Sequence, residues 1–107
     1  MTDKEKNIAE RIKEKVKEKD PAAKIILYGS RARGDYNTYS DWDILILVDK
    51  ENVSLQLEQE YRHHLLDLEL EIGEPISVTV YSKKKWESEH AVTPLYKSIE
   101  EDGVVLH

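Results

Sequence analysis

The first apolar positions along the chain, Ile8, Ile12 and Val16, recur every fourth residue among Lys, Glu and Arg. That spacing predicts an amphipathic helix with one buried stripe. Thr2 and Glu5 have capping-box spacing at its start, and Asp20-Pro21 ends it. Ile25-Ile26-Leu27-Tyr28, a short β-prone run stopped by Gly29, predicts a buried strand. Residues 30–40 are polar and turn-rich and read as a loop. The run Trp42 to Val48 then predicts a strand covered on both faces, and the two acids at its start, Asp41 and Asp43, are out of keeping with it.

A long helix follows, with Leu57, Tyr61, Leu65, Leu68 and Ile72 on one stripe. Asn52 or Ser54 is placed to cap it, and Gly73 and Pro75 close it. Ile76 to Tyr81 alternates as a third strand. Ser82 is placed to cap a short helix carrying Trp86. Thr93 and Pro94 suit the N-cap and first position of a last helix, which Gly103 ends before an edge strand at Val104 to Leu106. Strands alternate with helices without repeat or linker. The expected fold is a single α/β or α+β domain over residues 1–107, a small mixed β-sheet flanked by helices.

Bulk composition narrows the function. Hydrophobic residues are 39% and charged residues 36% of 107, which suits one globular domain with a very polar surface. With 22 acidic against 16 basic residues the formal charge is -6, so duplex DNA is not an expected partner. The absence of cysteine excludes disulfides, a thiolate nucleophile and Cys-ligated zinc. The charged first twenty residues carry no apolar signal core, and no apolar run reaches membrane-spanning length. The expectation is a cytoplasmic protein with no membrane partner.

The chemistry-bearing block is Gly29-Ser30, ten further residues, then Asp41-Trp42-Asp43. A glycine permits a sharp turn after a strand, and Ser30 can then open a helical turn whose free N–H groups face a phosphate. Arg31 and Arg33 add fixed positive charge nearby. Side chains alternate along a strand, so Asp41 and Asp43 share one face and Trp42 takes the other. Two carboxylates heading an apolar strand repel each other unless a cation sits between them, and oxygen ligands with substrate phosphates suit Mg²⁺.

The stretch GSRARGDYNTYSDWDILIL resembles the signature of the DNA polymerase β-like nucleotidyltransferase superfamily, above all its minimal, MNT-type members. The resemblance is close from Lys24 to Val48 and looser across the rest. It implies the superfamily's nucleotidyltransferase fold, and a reaction in which a hydroxyl attacks the α-phosphorus of a nucleoside triphosphate, ATP by expectation, and pyrophosphate leaves. By position, Gly29, Ser30, Arg31 and Arg33 would bind the nucleotide and Asp41 and Asp43 would be the catalytic, Mg²⁺-binding carboxylates. Catalytic members carry a third acid on the strand placed here at Ile76 to Tyr81. This chain has Ser77 there, with Glu71 or Glu74 as acids that could reach in from the preceding turn. Minimal members are typically paired with a small helical HEPN-type protein as antitoxins, which makes such a protein the expected partner and adenylylation of it the expected activity. The alternative is a nucleotide-binding scaffold that acts by contact.

Other residues read as structural. His63 and His64 are adjacent, diverge around a helix and are expected at the surface; His90 and His107 have no evident partner ligands. Tyr28, Tyr36, Tyr39 and Trp42 are expected to pack, Asp35 to turn the chain or pair with an arginine, and Lys83 to Lys85 to be a solvated helix start.

Overall fold

The computed structural model describes residues 1–35 and 40–107. In chain order the elements are α1 (Asp3–Lys19), β1 (Lys24–Tyr28), α2 (Gly29–Arg33), β2 (Trp42–Val48), α3 (Leu55–Ile72), β3 (Ile76–Ser82), α4 (Lys83–Ser88), α5 (Pro94–Asp102) and β4 (Val104–Val105). The strands form one mixed sheet in the order β3-β2-β1-β4. β1 runs antiparallel to β2 and β4, and β2 runs parallel to β3 through the α3 crossover.

Local chemistry sets the helix limits. The Thr2 hydroxyl accepts from Glu5 N at 3.2 Å while Thr2 N donates to Glu5 Oε1 at 2.9 Å, a reciprocal capping box. Ser54, not Asn52, caps α3 by accepting from Leu57 N at 3.1 Å. Ser82 and Thr93 cap α4 and α5 in the same way.

The sheet has two different faces. Ile25, Leu27, Trp42, Ile44, Ile46, Val48, Val78 and Val80 pack under α1 and α3, which bring Ile8, Ile12, Val16, Tyr61, Leu65 and Leu68. Both helices place one apolar residue per turn against this face, so their stripes and the sheet bury one another. On the other face Ile26, Leu45 and Leu47 meet Trp86 of α4 and Ile99 of α5. α4 and α5 cover that face over Leu45 and Leu47, and the acidic head of β2 extends beyond this cluster.

Within the polar segment after β1 the helical turn expected at Ser30 is present: Gly29–Arg33 is helical, closed by Gly34 in the left-handed region at φ +84°. One expectation changes. His64 is not a plain surface residue; its Nε2 lies 2.7 Å from the Lys15 carbonyl and ties α3 to α1. His90 stacks in a ring cluster with Tyr81 and Trp86. Tyr36 and Tyr39 lie outside the described residues. Among the described residues no helix is long and apolar enough to cross a membrane.

Candidate active site

β2 leaves the buried sheet at its N-terminal end, and Asp43 stands there between Tyr28 of β1 and Ser77 of β3, in register with both. Paired residues project from the same face, so the three side chains form one row across the sheet. Trp42 turns to the other face and is 1% exposed. Asp41, two residues before Asp43, returns to the same side as the row, where its Oδ2 accepts a hydrogen bond from Ser77 Oγ at 3.0 Å.

Gly29 brings the backbone onto this row. Its φ is +74°, a conformation that costs a residue with a Cβ, and a Cβ built there would overlap Asp43 Oδ2. The glycine is therefore required twice, by the turn and by the carboxylate lying against it. Ser30 follows in the first turn of α2, whose N-cap Tyr28 makes no side-chain cap hydrogen bond.

Burial raises the Asp43 pKa above the usual carboxylate value, the charge of Asp41 raises it further, and Arg33 opposes both. Tyr28 is also raised, first by burial, against a hydrogen bond to the Thr79 side chain that lowers it, with Asp43 adding to the rise. Among the described residues, Arg33 and the Ser77 hydroxyl ease the repulsion of these two like charges in a partly desolvated place. A cation would relieve them, and a carboxylate pair offers the hard oxygen ligands Mg²⁺ takes alongside phosphate. Among the described residues no cluster of three or more His, Cys, Asp or Glu is available to a metal.

The two arginines part company. Arg33 is half exposed, with Nε 3.1 Å from Asp35 Oδ2, and its charge reaches Asp43. Arg31 is 5% exposed. Its Nη2 is 2.8 Å from Glu74 Oε1, its Nε and Nη2 donate to the Ser40 carbonyl, and its guanidinium lies 5.0 Å from the Trp42 ring centre. The structure places Arg31 against Glu74, where it fastens α2 to the start of β2 and the turn before β3.

The same bond engages Glu74, and Glu71 forms a 2.6 Å ion pair with Arg11, so the structure places both acids on arginines. Thr79 and its bond to Tyr28 escaped the sequence reading. The alternation of Ile76 to Tyr81, which puts Ser77, Thr79 and Tyr81 on one face, was the signal that could have found them.

Comparison with known proteins bears on the family and the fold. Residues 9–106 match the family model described as a nucleotidyltransferase domain. A provisionally named protein adenylyltransferase of Methanocaldococcus jannaschii is 42% identical over 65 residues, 61% of this chain and 65% of that one, so the match spans just under two thirds of the relative's length. A solved structure described as a toxin-antitoxin with AMP-PNP shares the fold, with TM-score 0.67 at 20% identity over 94% of this chain and 73% of the matched one. With its glycine-serine turn set against paired aspartates, and the family model running from residue 9 to residue 106, the chain belongs to the nucleotidyltransferase domain family.

Proposed function

We propose that the domain is a magnesium-dependent nucleotidyltransferase that moves AMP from ATP onto a hydroxyl of a partner protein. The observation that carries the reading is the meeting of Asp41 and Asp43 beside the Gly29 backbone, a carboxylate pair whose mutual repulsion a cation would relieve. In this reading Asp41 and Asp43 hold Mg²⁺, the turn at Gly29 and Ser30 receives the triphosphate through backbone N–H groups, and Arg33 steadies it. Bound Mg²⁺ would supply neutralisation of phosphate charge. The acceptor oxygen bonds to the α-phosphorus, the bond from that phosphorus to the bridging oxygen breaks, and pyrophosphate leaves with the electron pair. The hydroxyl proton passes to solvent. Arg31 acts as a positioning residue that fixes where α2 begins.

AMP and a protein acceptor are favoured by the relative named as a protein adenylyltransferase and by the AMP-PNP complex of the structural neighbour. The neighbour's description as a toxin-antitoxin supports an antitoxin-like role, with a small helical HEPN-type protein as partner. A second reading, a scaffold that binds nucleotide and partner without transfer, is favoured by Ser77, whose neutral hydroxyl faces Asp41. The deciding experiment incubates the protein with α-labelled ATP, Mg²⁺ and the protein encoded beside it. Label on protein that needs Asp41 and Asp43, with pyrophosphate released, supports transfer. ATP binding without label favours the scaffold, and no ATP-induced rise in melting temperature refutes both.

A further inference from the structure

We infer that the Asp41–Asp43 site holds a single divalent cation, the one that arrives with the nucleotide, and that Ser77 sets this count. The inference rests on the nucleotide-site reading above and concerns only how many cations that site keeps.

Few carboxylates are available to the site. Asp41 and Asp43 are the pair on the row. Acids on the adjoining elements are engaged elsewhere, among them Glu5, whose Oε1 accepts from Thr2 N at 2.9 Å. Glu74 is on Arg31 and Glu71 on Arg11. Asp35 pairs with Arg33, Glu69 accepts from Ile76 N at 3.1 Å, and Glu58 is held by Arg62 and Val80 N. The residues between Asp35 and Ser40 are Tyr, Asn, Thr and Tyr, so that segment brings no carboxylate by its composition alone.

β3 is the strand that could add a ligand beside Asp43, and on that face it presents Ser77, Thr79 and Tyr81. All three are neutral. Thr79 is engaged with Tyr28, Tyr81 stacks on Trp86 with ring centres 5.4 Å apart, and Ser77 donates to Asp41. That last bond also takes up lone-pair capacity on Asp41 Oδ2 and holds its carboxylate in one orientation. Two carboxylates match the charge of one divalent ion, and one or two carboxylates plus phosphate oxygens is the usual Mg²⁺ environment. A second ion would have to share the same few oxygens, one of them already bonded to a hydroxyl.

The test counts ions rather than turnover. Mn²⁺ is titrated into the protein with equimolar α,β-methylene ATP, and bound Mn²⁺ is read from loss of the free-ion electron paramagnetic resonance signal. The expected result is one protein-dependent Mn²⁺ per chain without spin–spin broadening. Ser77→Asp is expected to hold two, with coupled-spin broadening. Ser77→Ala is expected to keep one, because alanine adds no carboxylate to the pair. Two ions in the wild type would overturn the inference and leave the nucleotide site standing. No nucleotide-dependent Mn²⁺ would remove the nucleotide site and the inference with it. A folded Ser77→Asp protein that still holds one would overturn the role given to Ser77. The wild-type count is decisive even if that variant does not fold.

Discussion

Gly29→Ala tests the contact on which the site is built. Three glycines have positive φ, at +74° for Gly29, +84° for Gly34 and +72° for Gly73, so alanine meets comparable backbone strain at each, about 1–2 kcal/mol. A stiffer unfolded chain offsets about 0.4–1 kcal/mol of that. At Gly34 and Gly73 the new methyl enters open space, and the net cost is expected at about 1 kcal/mol or less. At Gly29 it runs into Asp43 Oδ2, and overpacking of that kind adds about 1–3 kcal/mol.

Gly29→Ala should therefore cost about 2–4 kcal/mol in urea unfolding at unchanged m, and lower Tm by roughly 10–20 °C. Asp43→Ala removes the colliding carboxylate, so a double-mutant cycle should return the collision part as a coupling of about 1–3 kcal/mol. If Gly29→Ala costs no more than Gly73→Ala, or if Asp43→Ala fails to rescue it, the carboxylate does not lie against Gly29 and the site geometry is wrong.

Four further outcomes follow from the same structure. Arg31→Ala leaves the Glu74 carboxylate buried without its cation, its Oε2 having no hydrogen-bond partner among the described residues, and should cost about 3–5 kcal/mol by denaturant unfolding. Arg33→Ala should change stability by about 0.5 kcal/mol or less while weakening ATP binding in calorimetry; equal stability losses in the two would contradict the division between them. Asp43 has a raised pKa, so its contribution to stability is fully present below its unfolded value and is lost as pH rises through the folded one. Asp43→Asn should thus gain on the wild type as pH climbs out of the acid range, and a variant that instead loses ground to the wild type as pH rises would refute this. Burial pushes the Tyr61 pKa up to about 12 from 10.0, with Asp20 adding to the rise, so the unfolded chain loses that proton first and stability falls between those values. Tyr61→Phe should show a shallower decline over that window in pH-dependent melts, and parallel curves would count against it.

The sequence by itself determined the elements with strong local rules. Apolar spacing of three and four residues marked α1 and α3, caps at Thr2, Ser82 and Thr93 marked helix starts, and strand alternation put Asp41 and Asp43 on one side with Trp42 on the other. The glycine-serine turn and the aspartate pair, ten residues apart, sufficed to mark the family. Tertiary structure decided what each polar side chain does. Arg31 and Arg33 are the same residue type two positions apart, and only the rotation of the short α2 turns one inward to Glu74 and leaves the other facing Asp43 and solvent. The Arg31–Glu74 and Ser77–Asp41 contacts join residues 43 and 36 positions apart. No local period encodes such pairs, because the parallel register of β2 and β3, set by the α3 crossover and its packing on the sheet, is what brings them within reach.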